Sequence, residues 1–123
     1  MTVGVIGRSA LPVIRIVPRQ GLYDYKAKYI RNDTRYIVNP PLDAKVLRRV
    51  QRDALRLAEA LGCRHISRTD FMLARDGTPW LLEINTTPGF TDHSLVPKAA
   101  RAAGIGTPDL CDRLVRMALA DRR

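Results

Sequence analysis

Cysteine is scarce: the chain has two, Cys63 and Cys111, far apart and without a CxxC spacing. That leaves no disulfide framework and no cysteine-held zinc site, and it fits a reducing, cytoplasmic setting. Long apolar runs are missing as well. The longest are a few residues, far short of the roughly 20 that a membrane-spanning helix needs. The opening stretch MTVGVIGRSALP has neither the basic start nor the apolar block of a secretory signal peptide. Aromatic residues make up only 6% of the chain, and no RNP, zinc-finger or helix-turn-helix pattern accompanies the formal charge of +9. A strongly basic chain is a candidate for nucleic acid, but here the positive side chains are mostly arginines scattered along the sequence. A compositional bias toward arginine, together with an anionic small ligand such as a nucleotide, explains the charge equally well. Neither nucleic acid nor membrane is expected as a partner. Internal repeats and low-complexity segments are also absent.

What is present is enough for one domain or part of one: 123 residues, 46% of them hydrophobic. Thr2–Gly7 and Leu11–Pro18 read as a strand pair joined across Arg8, Ser9 and Ala10, and Thr34–Val38 as a further strand. Between them, Arg19–Asp33 is a polar stretch with no clean period, expected to be a long irregular loop, a lid or a linker. Asp43 opens a helix to about Leu61, with Leu47, Val50, Ala54, Leu57, Ala58 and Leu61 on one stripe and Gly62 at its end. Two strands follow, His65–Ala74 and Pro79–Asn85, around an Asp76-Gly77 hairpin signal. Helices are expected over Ser94–Ala103 and, capped by Thr107, to about Ala120. The fold class is α+β, an antiparallel sheet flanked by helices.

The hairpin bears on function. A two-residue Asp76-Gly77 loop places Asp70 opposite Glu83 and Arg68 opposite Asn85, and the period of two puts all four on one face. A four-residue loop preserves that grouping, whereas a three-residue loop separates it. Two carboxylates facing each other across strands repel unless a cation offsets them. Asp, Glu and Asn form an all-oxygen donor set suited to Mg²⁺. A solvent-facing strand with a cross-strand Arg–carboxylate pair explains the same residues. Phe71, Leu73, Leu82 and Ile84 favour the metal, because they cover the opposite face and make the polar side the wall of a cleft. Downstream, Thr86-Thr87-Pro88-Gly89 turns the chain, and Gly89 allows a backbone N–H to approach a ligand closely. Ser94 stands at a helix start, where it either caps the helix or, with the free N–H groups, binds an anion.

Three segments, GLYDYKAKYI (Gly21–Ile30), RTDFMLARDG (Arg68–Gly77) and LLEINTTPGFTDHSLVPKAARAAGI (Leu81–Ile105), resemble the C-terminal catalytic part of D-alanine–D-alanine ligases of the ATP-grasp superfamily. The resemblance covers essentially the whole chain. It implies that residues 1–123 are a C-terminal ATP-grasp subdomain, and that ATP phosphorylates one D-alanine before the amine of a second attacks the acyl phosphate. The product would be a dipeptide for peptidoglycan precursors. By resemblance, Asp70, Glu83 and Asn85 hold two Mg²⁺ ions (or Mn²⁺), with Glu83 bridging. Arg68 and the Gly89 N–H stabilise the tetrahedral oxyanion, and Ser94 with the Leu95 backbone holds the acceptor carboxylate. Lys28 reaches the transferred phosphate of ATP, and Tyr29 belongs to a mobile lid loop over residues 18–33 that closes over the ATP site. The parts that such ligases use for the first D-alanine, the adenine hinge and the ribose have no counterpart in this sequence. The chain is therefore expected to be a truncated or split piece that needs the missing domains, or a homo-oligomer, for turnover. The alternative is an inactive remnant, or a nucleotide- or metal-binding module without turnover. Another carboxylate–amine ligase is disfavoured by the match around His93, Ser94 and Leu95. An exposed edge at Thr2–Gly7 is expected to leave the fold marginal or self-associating.

Overall fold

The computed structural model of the chain describes residues 1–18 and 34–121. Lys28, Tyr29 and nearly all of the expected lid lie outside the described residues. Six strands, β1 (Thr2–Ile6), β2 (Ser9–Ala10), β3 (Ile14–Val17), β4 (Arg35–Val38), β5 (Ile66–Leu73) and β6 (Pro79–Asn85), form one antiparallel sheet in the order β4-β3-β1-β5-β6, with β2 paired to β1. Helices α1 (Ala44–Ala60), α2 (Leu95–Ala102) and α3 (Thr107–Ala120) flank it. None of the described helices is long and apolar enough to cross a membrane.

β1 is no edge. Every residue of Thr2–Ile6 is buried, because β5 pairs with it along its whole length and β3 joins on its other side at Thr2 and Ile14. The first hairpin turns earlier than expected, at Gly7-Arg8, where Gly7 has φ +56° and pairs Ile6 with Ser9. Pairings between segments some 65 residues apart leave no local mark in sequence, which is why the central position of β1 was not legible.

Both faces of the sheet are covered. Val3, Val5, Val13 and Phe71 meet Val50, Ala54 and Ala58 of α1 on one side, while Ile6, Leu11 and Ile14 meet Val96, Ala99, Ala100 and Leu110 of α2 and α3 on the other. The second side was expected to be open. Gly4 explains part of the difference: a Cβ there would lie 3.0 Å from Leu11 Cδ1 and 3.3 Å from Val96 Cγ2, so α2 packs directly on the β1 backbone. The polar block occupies only one end of a face whose other end is core.

α1 begins as its sequence predicts, with the Asp43 carboxylate accepting from the Lys45 N–H at 2.7 Å. Leu61, expected on the buried stripe, is 60% exposed at the helix end. α3 is capped by Gly106, with Thr107 already its first helical residue.

The β5–β6 hairpin corrects one expectation while preserving its consequence. The Ala74 N–H donates to the Thr78 carbonyl and the Gly77 N–H to the Ala74 carbonyl, so the loop is the three residues Arg75, Asp76 and Gly77, with Gly77 at φ +84°. Leu73 therefore pairs with Pro79 and Phe71 with Leu81. A bulge then inserts Leu82 as an extra residue, and beyond it Asp70 faces Glu83 and Arg68 faces Asn85. The bulge restores the register that the loop alone would have broken. Leu82 does not cover the far face as expected; it is 59% exposed.

Candidate active site

β5 and β6 supply the acidic end of the site. Arg68 lies between the two carboxylates: its Nε and Nη2 donate to Asp70 Oδ1 and Oδ2, each at 3.0 Å, and Nη2 lies 3.5 Å from Glu83 Oε1. The Arg68 and Asp70 side chains are 14% and 13% exposed, whereas Glu83 keeps 53% of its surface. A bidentate Arg–carboxylate pair at this depth is a strong, orienting interaction. Asp70 also accepts from the buried Thr2 hydroxyl at 2.6 Å. The Met1 amino group lies at the same end of the sheet; burial pushes its pKa down, against the pull of Asp70, which raises it.

The chain then leaves the sheet through a side-chain-directed turn, in which Asn85 Oδ1 accepts from the Thr87 N–H at 2.8 Å. Pro88 is buried and Gly89 exposed. A Cβ on Gly89 would sit 3.1 Å from Ser94 Oγ, so only glycine lets the backbone and the Ser94 hydroxyl share this spot without a shift. Ser94 is the N-cap residue of α2, yet its side chain makes no bond to its own helix. Instead Ser94 Oγ accepts from the Thr91 N–H at 2.8 Å and lies 2.9 Å from Thr91 Oγ1. The third helical position is Pro97, which has no N–H. The N–H groups of Leu95 and Val96 are then the ones that a ligand at this helix start would meet.

A cavity of about 690 Å³ joins these parts, lined by Tyr36 of β4, Arg68, Glu83 and Asn85 of the sheet, and Thr87, Gly89, Thr91, His93, Ser94 and Leu95 of the following turn and helix start. Of the residues singled out in the sequence, Arg68, Glu83, Asn85, Gly89, Ser94 and Leu95 thus share one wall. Asp70 does not line the cavity itself; its carboxylate is bonded to Thr2 and to the lining residue Arg68. Tyr36, Thr87 and Thr91 escaped the sequence reading. Thr87 and Thr91 bracket a turn that was already identified, whereas Tyr36 arrives through a sheet order that local pattern does not encode.

Beyond the acid block, the edge of the sheet changes character. Met72, Trp80 and Leu82 are 52%, 64% and 59% exposed, an apolar patch beside Glu83 where a polar rim would be ordinary. Trp80 followed by two leucines breaks the strand's alternation, and that irregularity was the available signal.

The donor chemistry here fits a hard divalent cation. Among the described residues no three His, Cys, Asp or Glu side chains gather, but two carboxylates and an amide oxygen are what Mg²⁺ takes from a protein when phosphate and water complete its shell. Among the described residues, Thr2 and Arg68 fill both in-plane lone pairs of Asp70 Oδ1 and one of Oδ2, which leaves the second lone pair of Oδ2 for a metal.

The chain is similar to known proteins in sequence and in fold. Residues 1–116 match the family model described as D-ala D-ala ligase C-terminus. A D-alanine–D-alanine ligase from Cupriavidus taiwanensis is 49% identical over 98% of this chain, which spans 38% of that protein. One from Burkholderia pseudomallei is 51% identical over 89% of the chain and 35% of its own length. Among solved structures, a Bacillus anthracis D-alanine–D-alanine ligase complexed with ATP superimposes with a TM-score of 0.80 at 37% identity, covering 97% of this chain and 39% of that one. A ligase from Coxiella burnetii gives a TM-score of 0.81 at 25% identity.

Proposed function

The chain belongs to the D-alanine–D-alanine ligase C-terminal family, and from that premise we propose that it carries the metal- and acceptor-binding half of an ATP-dependent ligase site that joins two D-alanines through an acyl phosphate. The observation that carries the reading is the single cavity in which Arg68, Glu83 and Asn85 meet Gly89 and the Ser94 helix start. Acid block, oxyanion donors and anion-binding helix end are needed together for acyl transfer from a phosphate. The chain spans about 38% of the first curated relatives it matches, so turnover is assigned to an assembly and not to this segment alone.

Mg²⁺ bound by Asp70, Glu83 and Asn85 would supply positive charge to ATP phosphate oxygens; two ions bridged by Glu83 are part of the proposal. The remaining tasks fall to the chain's own groups. Arg68 and Gly89 both line the cavity, where the guanidinium charge and the Gly89 N–H would together stabilise a developing oxyanion. Ser94 Oγ accepts from the Thr91 N–H and shares with the Thr91 hydroxyl a hydrogen bond that either can donate; when Thr91 donates, both Ser94 lone pairs are taken. The Ser94 proton is then left for an acceptor carboxylate, next to the Leu95 N–H and the positive end of α2. Met72, Trp80 and Leu82 offer the purine ring an apolar seat beside the phosphate site. Lys28 and Tyr29 retain their proposed places at the phosphate and in a lid, in a cytoplasmic enzyme of peptidoglycan precursor synthesis.

Mixing this chain with the portion of a matching ligase that lies outside the aligned region, plus ATP, Mg²⁺ and D-alanine, is expected to yield ADP and the dipeptide. The chain alone is expected to bind without releasing ADP. A well-formed mixture that makes no dipeptide would favour a binding module without turnover.

A further inference from the structure

Thr2 is a buried polar side chain, 2% exposed, on the central strand β1, and its register places it directly opposite Asp70. Its hydroxyl has one proton to give and two acceptors in reach: Asp70 Oδ1 at 2.6 Å and the Thr69 carbonyl at 3.4 Å. The short contact to a carboxylate takes it, as a charge-assisted bond should. Arg68 orients Asp70 through two bonds, but the same guanidinium also faces Glu83 at 3.5 Å. A carboxylate tied only to a shared, long side chain can pivot with it. One tied as well to a hydroxyl on the most buried strand of the sheet cannot.

We propose that Thr2 is a positioning residue for the metal-binding carboxylate Asp70: its hydroxyl pins Oδ1, so that the free lone pair of Oδ2 is held where a divalent cation meets Glu83 and Asn85. The inference rests on the metal reading proposed above. Outer partners of metal ligands commonly set affinity by about 10–100-fold, and Thr2 is such a partner, buried at the start of the central strand. Thr2 is a probe of unusual clarity, because valine keeps its shape and β-branching while deleting the proton, and serine keeps the proton while deleting the methyl group.

The test is a titration of the full 123-residue chain with Mn²⁺ alone, followed by water-proton relaxation, on the parent, Thr2→Val and Thr2→Ser, with folding checked by thermal melting. Thr2→Val is expected to raise the half-saturating Mn²⁺ concentration about 10–100-fold, and Thr2→Ser to stay within about twofold of the parent, as retention of the hydroxyl donor requires. Parent-like affinity in a folded Thr2→Val chain overturns the positioning role while leaving the metal site standing. Equal weakening in both variants overturns it too, since packing and not the hydroxyl would then be responsible. No Mn²⁺ binding by the parent overturns the metal reading and this inference with it. Should Thr2→Val not fold, Thr2→Ala replaces it under the same criteria.

Discussion

Replacing Arg68 with methionine is expected to destabilise the chain by about 3–5 kcal/mol, the cost of stripping one partner from a buried ion pair. The magnitude follows from burial. Arg68 and Asp70 are 14% and 13% exposed and joined by two 3.0 Å bonds, so Asp70 would be left charged, largely dry and opposite a second carboxylate. Thr2 alone offsets little of that. In a thermal melt the loss corresponds to a fall of upwards of about 12 °C, taking about 4 °C per kcal/mol for a small domain. Added Mg²⁺ should recover part of the loss in Arg68→Met and change the parent much less, because the cation then replaces the missing positive charge. A fall under about 1 kcal/mol would place the pair among solvated surface contacts and remove the reason for treating this end of the sheet as an organised site.

Glu83→Gln is expected to do the reverse: leave stability nearly unchanged and lose metal. Glu83 keeps 53% of its side-chain surface, and among the described residues its charged contact is Arg68 at 3.5 Å, so the fold should change by no more than about 1 kcal/mol. Metal affinity should drop by more than about 100-fold, beyond what removing an outer partner does, because a charged ligand becomes a neutral one. Mn²⁺ titration and melting, run side by side on the two variants, separate the roles. Loss of stability in Glu83→Gln with affinity intact would assign Glu83 to the fold.

The contrast between these residues shows what the sequence could carry. The α+β class, the helix capped by Asp43, and the grouping of Arg68, Asp70, Glu83 and Asn85 were all legible, because each depends on local periodicity or one hairpin. The grouping survived for a reason that was not legible. The loop has three residues, which alone would have turned Glu83 away, and the bulge at Leu82 turns it back. Bulges follow from strain and packing along a strand, and here the only trace was a pair of leucines that broke alternation. β1 was misplaced at the edge because its pairing with β5 joins Thr2 to Asp70 across 68 residues, a contact with no local signature. Thr2 was overlooked for the same reason. The second packed face depended on Gly4 making room for Val96, a fit visible only once α2 is in place. Local chemistry was readable; its supports were built by distant segments.

In the proposed function, the β5–β6 acid block holds the divalent cation that serves ATP. The most direct measurement is paramagnetic broadening of the chain's amide resonances by Mn²⁺ in the presence of ATP. Broadening centred on Asp70, Glu83 and Asn85, fading through Gly89 toward Ser94 and leaving Asp109 and Asp112 of α3, which pair with Arg113 and Arg116, sharp, is the predicted result. Broadening centred on Asp109 and Asp112, or spread evenly over the surface, would contradict it.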